Sequence, residues 1–288
     1  AGAEYALTPI LISYNVQLNP RGLGALFLDI VIVLLILLIW HGASWWLWIV
    51  VALFSGLILL THKMTSQLFW FLCLAVGALS TDWRLPLLIP VSIAVALVIS
   101  KGFYIKVLIA HWDIVTFWNR NWPWLSAHQI LESPIYGTPG YETPTKYYRS
   151  GIGGLCRRLQ YLLGFNPWAW SLLVAACWVY GPDSHLTLED LWTIRWLALI
   201  VLFVVLTTFI PAMRCLGQGY LYLYNSSFPA ALVIGMIWGG QKHDAVVNVI
   251  LAATLLTCSI GIAFYLRTLR KSKTLKVDYS MNMALEQL

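Results

Sequence analysis

Eight hydrophobic stretches of membrane-spanning length follow one another along this chain, and the gaps between them alternate between rich and poor in Lys and Arg. A helix needs about 20 apolar residues to cross the hydrocarbon, within a range of about 17 to 25. On that ruler the spans fall near residues 24–40, 44–61, 66–82, 84–103, 167–182, 191–212, 226–240 and 244–266. Backbone polar groups in lipid must be paired within their own segment, so the spans are read as helices. The fold class is an all-α polytopic membrane protein of about eight transmembrane helices with one long ordered connecting loop. At 60% hydrophobic and 10% charged residues, against roughly 25% charged in soluble domains, the bilayer is the chain's main solvent.

Lys and Arg in short loops are retained on the cytoplasmic side. With the tail inside, that side holds Arg21, Lys63, Lys101, Lys106, Arg120, Lys146, Arg149, Arg157, Arg158, Arg214, Arg267, Arg270, Lys271, Lys273 and Lys276, and the other side keeps Arg84 and Lys242. This split predicts eight spans with both termini cytoplasmic. The expected location is the inner membrane of a bacterium or archaeon. The net charge of +6 is spread over connecting loops instead of forming one stripe, so it argues against nucleic acid as a partner.

The domain organisation follows. Residues 1–23 form an N-terminal segment interrupted by Glu4 and polar residues, which matches neither a signal peptide nor a full span and points to a processed chain or a piece of a longer one. Helices 1–4 occupy 24–103 and helices 5–8 occupy 167–266, with a basic cytoplasmic tail at 267–288. Between the two sets, residues 104–166 open on the amphipathic run YIKVLIAHWDIVTFW and continue with prolines and aromatics. Flexible linkers are Gly/Ser-rich, so this segment reads as an ordered cap lying against the membrane. Trp40, Trp45, Trp46, Trp83, Trp168, Trp192 and Trp238 sit at the ends of apolar runs, where their rings favour the headgroup layer.

Candidate chemistry is sparse. The five Cys show no CxxC and no Cys/His cluster, and His111 and Asp113 point about 200° apart on a helix, so no metal ligand is assigned. Asp29, inside the first span, reads as snorkelling or helix-paired before a proton relay. A basic face does stand out. Arg21, Lys63 and Arg214 lie on one side with Lys146, Arg149, Arg157 and Arg158 of the long loop, and such a cluster at headgroup level suits an anionic lipid phosphate. Tyr147 and Tyr148, or Tyr220, Tyr222 and Tyr224, are candidates to line it.

The stretches NPRGLGALFLDIVIVLL, LLTHKM and FIPAMRCLGQGYLYLYNSSFPAALV resemble the membrane-embedded region of polytopic GT-C-type glycosyltransferases and their uncharacterised relatives. The resemblance implies a polyprenyl-phosphate donor held at helix ends, and residue by residue it reaches Arg21, His62, Lys63 and Arg214. That family carries an acidic motif in its first extracytoplasmic loop, whereas the corresponding loop here is HGAS. No catalytic residue is therefore assigned. Two functions are expected as alternatives. One is the lipid-binding, non-catalytic part of a machine acting on polyprenyl-phosphate-linked sugars. The other is an accessory subunit that supplies other membrane subunits with helices, lipid contacts and His ligands to pigments.

Overall fold

The computed structural model describes residues 2–15, 20–40, 42–121, 151–180, 188–239 and 245–272. Every regular element among them is helical. Two short helices, α1 (Gly2–Ala6) and α2 (Pro9–Asn15), precede α3 (Arg21–Trp40), α4 (Leu47–Thr61), α5 (Lys63–Ser80), α6 (Arg84–Ile99) and α7 (Tyr104–Asn121). Then come α8 (Gly151–Phe165), α9 (Pro167–Val179), α10 (Leu188–Phe209), α11 (Ser227–Gly239) and α12 (Ala245–Ser272). Two 3-10 helices, Pro211–Leu216 and Gly219–Ser226, lie between α10 and α11.

Among the described residues, five helical segments are long and apolar enough to cross a membrane: Arg21–Ile39, Lys63–Ser80, Leu191–Phe209, Gly219–Trp238 and Ala245–Arg267. A sixth forms if α8 and α9, bent by 79° to each other, are taken as one broken span. The sequence predicts eight. The difference lies in α4 and α6, whose 15 and 16 residues are apolar but short. At about 1.5 Å per residue they reach about 22 to 24 Å, less than a hydrocarbon core of about 30 Å.

Small residues set how closely the helices approach. A Cβ added at Gly56 of α4 would meet Val95 Cγ1 of α6 at 2.5 Å, and one at Gly77 of α5 would meet the Pro86 ring at 2.6 Å. Gly219 is tighter still, since its Cβ would run into Thr208 Oγ1 and lie 2.6 Å from the Val204 carbonyl of α10. That contact seats the 3-10 helix Gly219–Ser226 directly on α10. The Thr207 and Thr208 hydroxyls donate back into their own helix, to Phe203 O at 2.8 Å and Val204 O at 2.7 Å, so the close approach leaves no donor idle.

Asn166 fixes the bend between α8 and α9. Its Oδ1 accepts from the Ala169 amide at 3.3 Å, capping α9, while Nδ2 donates to Ser226 Oγ at 2.9 Å and Leu223 O at 3.3 Å. On the opposite turn, Asp82 takes Arg84 in a 2.6 Å ion pair, and the Arg84 guanidinium lies 5.1 Å from the centre of the Trp48 ring.

Two groups of aromatics differ from their sequence reading. Trp168 and Trp192 are buried, whereas Trp45, Trp46, Trp83 and Trp238 are exposed on the protein's outer surface as interfacial rings would be. Tyr220, Tyr222 and Tyr224 are buried too, and belong to the core. The interior of residues 104–166 is helical at both ends, as α7 and α8, and the cap expected over 119–150 falls mostly on residues outside the described ones.

Candidate functional site

The reversal from α4 into α5 builds the site. Thr61 ends α4, His62 is extended, and Lys63 begins α5, so two polar side chains are left at a corner with no room to continue either helix. The start of α3 packs into that corner. Gly24 makes this possible, because a Cβ there would lie 2.8 Å from Thr61 Oγ1 and 3.1 Å from Thr65 Oγ1. Arg21, one turn earlier, is buried, with Nη2 4.0 Å from Met64 Sδ.

Met64 also faces the segment after α10. Its Cε lies 3.2 Å from where a Cβ would stand at Gly217, whose φ of +131° is in the region that favours glycine. The Gly217 amide donates to the Arg214 carbonyl at 3.2 Å and closes the 3-10 turn that carries Arg214. The Arg214 guanidinium reaches the Phe209 carbonyl at 3.5 Å, and Arg158 of α8 lies 5.9 Å from the centre of the Phe209 ring. Helix α7 packs against the same 3-10 turn.

Electrostatics at the corner are one-sided. Burial pushes His62 down to about 4, and Arg21, Lys63 and His111 add to that fall. His111 is lowered as well, by burial and by Lys63. Four basic side chains therefore share one neighbourhood, with His62 neutral at pH 7. An arriving anion meets fixed positive charge without first breaking a His62 ion pair.

Beside the corner is a cavity of about 420 Å³. Lys63, Ser66, Gln67 and His111 give it a polar end, and Trp70, Leu108, Trp112, Val115 and Leu216 give it apolar walls. The Tyr222 hydroxyl, from the neighbouring 3-10 helix, positions Gln67 by a 2.6 Å hydrogen bond. Such a space fits an amphiphile with an anionic head.

The expected residues divide among three places. Arg21, His62 and Lys63 meet at the corner, and Arg158 and Arg214 meet at Phe209. Arg157 turns away into a separate cavity of about 520 Å³ with Pro9, Ser13, Tyr161 and Tyr265, where it donates to Gln160 Oε1 at 3.1 Å. Neighbours on a helix point about 100° apart, which sends Arg157 and Arg158 to different surroundings. Lys146 and Arg149, with Tyr147 and Tyr148, lie outside the described residues. Tyr220 packs on Tyr161 and Phe165 with ring centres 4.7 Å from each.

His111 and Gln67 enter the site without having been singled out for it. A signal existed for His111: Leu108, His111 and Val115 are spaced i, i+3 and i+7, one face of a helix, and all three line the cavity. Asp113 is exposed on another face of α7. Among the described residues no three His, Cys, Asp or Glu side chains converge as metal ligands would. No family model, no curated protein and no solved structure matches the chain.

Proposed function

We propose that this protein is a lipid-phosphate-binding membrane module whose natural ligand class is a polyprenyl phosphate, and that it holds the lipid without carrying the catalytic groups. The observation that carries this reading is the joining of Arg21, His62, Lys63 and His111 to a cavity with one polar end and apolar walls. The phosphate belongs at Lys63 and His111, and the first isoprene units belong between Trp70, Leu108 and Trp112. Arg214 guards the same end of the bundle from the 3-10 turn.

The chain crosses the membrane eight times in this reading, with both termini in the cytoplasm. The antiparallel run of α3, α4, α5 and α6 supports it, because the contacts of Gly24 and Gly217 gather Arg21, Thr61, Met64 and Arg214 at one end. The short α4 and α6 then cross by drawing the headgroups toward each other.

The test is native mass spectrometry of the purified chain with undecaprenyl phosphate, using undecaprenol as the uncharged control. Hydrogen bonds to charged groups contribute roughly 1.5 to 3 kcal/mol, so Lys63→Ala and Arg214→Ala weaken retention of the phosphate form by about ten- to a hundredfold. Arg267→Ala, on the exposed end of α12, has little effect. Equal occupancy by undecaprenyl phosphate in all four proteins, or equal retention of undecaprenol, overturns the reading. The accessory-subunit alternative draws support from α12, where Val249, Leu256 and Phe264 are exposed.

A further inference from the structure

A second cavity, of about 360 Å³, lies away from the basic corner, and Tyr5, Leu26, Asp29, Ile30, Val33 and Phe228 are among its walls. Asp29 is the one carboxyl there. It stands eight residues beyond Arg21 on α3, about 12 Å along the axis. Its Oδ1 is fully shielded and makes no hydrogen bond.

The groups facing Asp29 can be followed element by element. Helix α1 brings Tyr5, with Glu4 beside it, and Tyr5 is within electrostatic reach of Asp29, Glu4 and Tyr224. Glu4 is buried on the side of α11 and α12, within reach of Cys258. Over Leu47–Thr61 and Ser227–Gly239 the sequence holds no charged residue at all. In α5 the only charge is Lys63, at the Arg21 end, and α10 carries Glu189, Asp190 and Arg195 in its first turns, far along the chain from the 3-10 helix that meets α3. Gly219–Ser226 offers only tyrosines, Tyr224 among them.

An ionised carboxylate at this place has no cation within reach among the described residues and apolar walls around it, so its stable form is the protonated, neutral acid. Leu26 and Val33, on the cavity rim, are exposed on a face of a membrane-spanning helix, which opens the space sideways to lipid. We propose that the Tyr5–Asp29 cavity is a proton-binding site entered from the bilayer hydrocarbon, in which Asp29 carries the exchangeable proton and Tyr5 is its polar companion.

The experiment treats the full chain in lipid vesicles with dicyclohexylcarbodiimide, or with a water-soluble carbodiimide, and reads the adduct by peptide mass. A protonated carboxyl gives its proton to a carbodiimide nitrogen, its oxygen bonds the central carbon, and acyl transfer to nitrogen leaves an N-acylurea whose mass is the sum of both reactants. The expected result is an adduct on Asp29 with the hydrophobic reagent alone, declining as pH rises. It is lost in Asp29→Asn and kept in Glu4→Gln and Asp29→Glu. An adduct on Glu4 instead, equal labelling by the water-soluble reagent, a yield independent of pH, or none on wild type overturns the proposal. Suppression by sodium at fixed pH also overturns it, in favour of a metal-cation site.

Discussion

Tyr222 donates its hydroxyl proton to Gln67 Oε1 at 2.6 Å, joining the 3-10 helix Gly219–Ser226 to α5 across 155 residues of sequence. The Tyr222 ring is fully buried and meets Phe203 of α10 edge-on, with ring centres 4.8 Å apart. The bond therefore ties three elements together directly behind the cavity beside Lys63.

Removing it leaves a shape-matched ring and an amide without its donor. Tyr222→Phe is expected to lower stability by about 1 to 2 kcal/mol, the usual cost when a buried partner is lost. Gln67→Ala should cost a similar amount, and the double variant less than the sum of the two. Thermal unfolding in detergent, run as a double-mutant cycle, checks this. Additive losses would show that the two side chains act separately.

His62 gives the corner a pH dependence whose sign can be worked out. The unfolded chain takes up a proton near 6.5, while the folded His62 refuses it until about 4. Stability from the neutral ring is thus complete above 6.5 and is lost as pH falls through that window. A bound lipid phosphate reverses this by giving the imidazolium a partner. Undecaprenyl phosphate should bind more tightly at pH 5 than at pH 7, and His62→Gln should flatten both profiles, in melting curves and in binding titrations.

Close packing at two glycines separates structural from permissive positions. Gly219→Ala and Gly56→Ala each force a methyl group into occupied space and are expected to destabilise by about 1 to 3 kcal/mol. Gly235→Ala, which meets nothing within 4 Å, should be neutral or slightly stabilising. Comparing the melting temperatures of the three variants settles the ranking.

Topology is open to cysteine labelling in a background lacking Cys156 and Cys177, the two exposed native thiols. Cysteines at Ser44 and Thr81 should react with an impermeant reagent from outside, and those at Lys101 and Arg120 should react only from inside; all four positions are exposed. Thr65 is unsuitable, being fully buried. The opposite pattern would invert the orientation.

The apolar runs of α3, α5, α10 and α12 and the basic end of the bundle were legible because hydropathy and Lys/Arg placement are local properties of the chain. The segment GYLYLYNS was not legible as a 3-10 helix. Its alternation of Tyr and Leu follows a period of two, and what winds it tightly is the contact of Gly219 with α10, a partner the sequence does not reveal. Helix α8 opens on GIGG, a poor helix start by propensity, and the Asn166 bonds to Leu223 and Ser226 that end its path come from a distant segment. The corner cations were read as one group with Arg157. Only the rotation of about 100° between neighbouring helix positions sends Arg157 to the cavity beside Tyr161 and Arg158 to the Phe209 ring.

The short pair α4 and α6 gives the molecule unequal height. Where Ile49, Leu53, Leu87 and Val98 face outward, the apolar belt is about 22 to 24 Å tall, whereas the 23-residue apolar stretch of α12, Ala245–Arg267, rises about 35 Å. In the eight-span reading, where α4 and α6 cross the bilayer, lipid tails around the first face shorten or splay while those around the second stand upright. The protein then acts as a wedge that favours thin or curved regions and neighbours with an equally low flank, because pairing two low flanks relieves the same deformation once instead of twice.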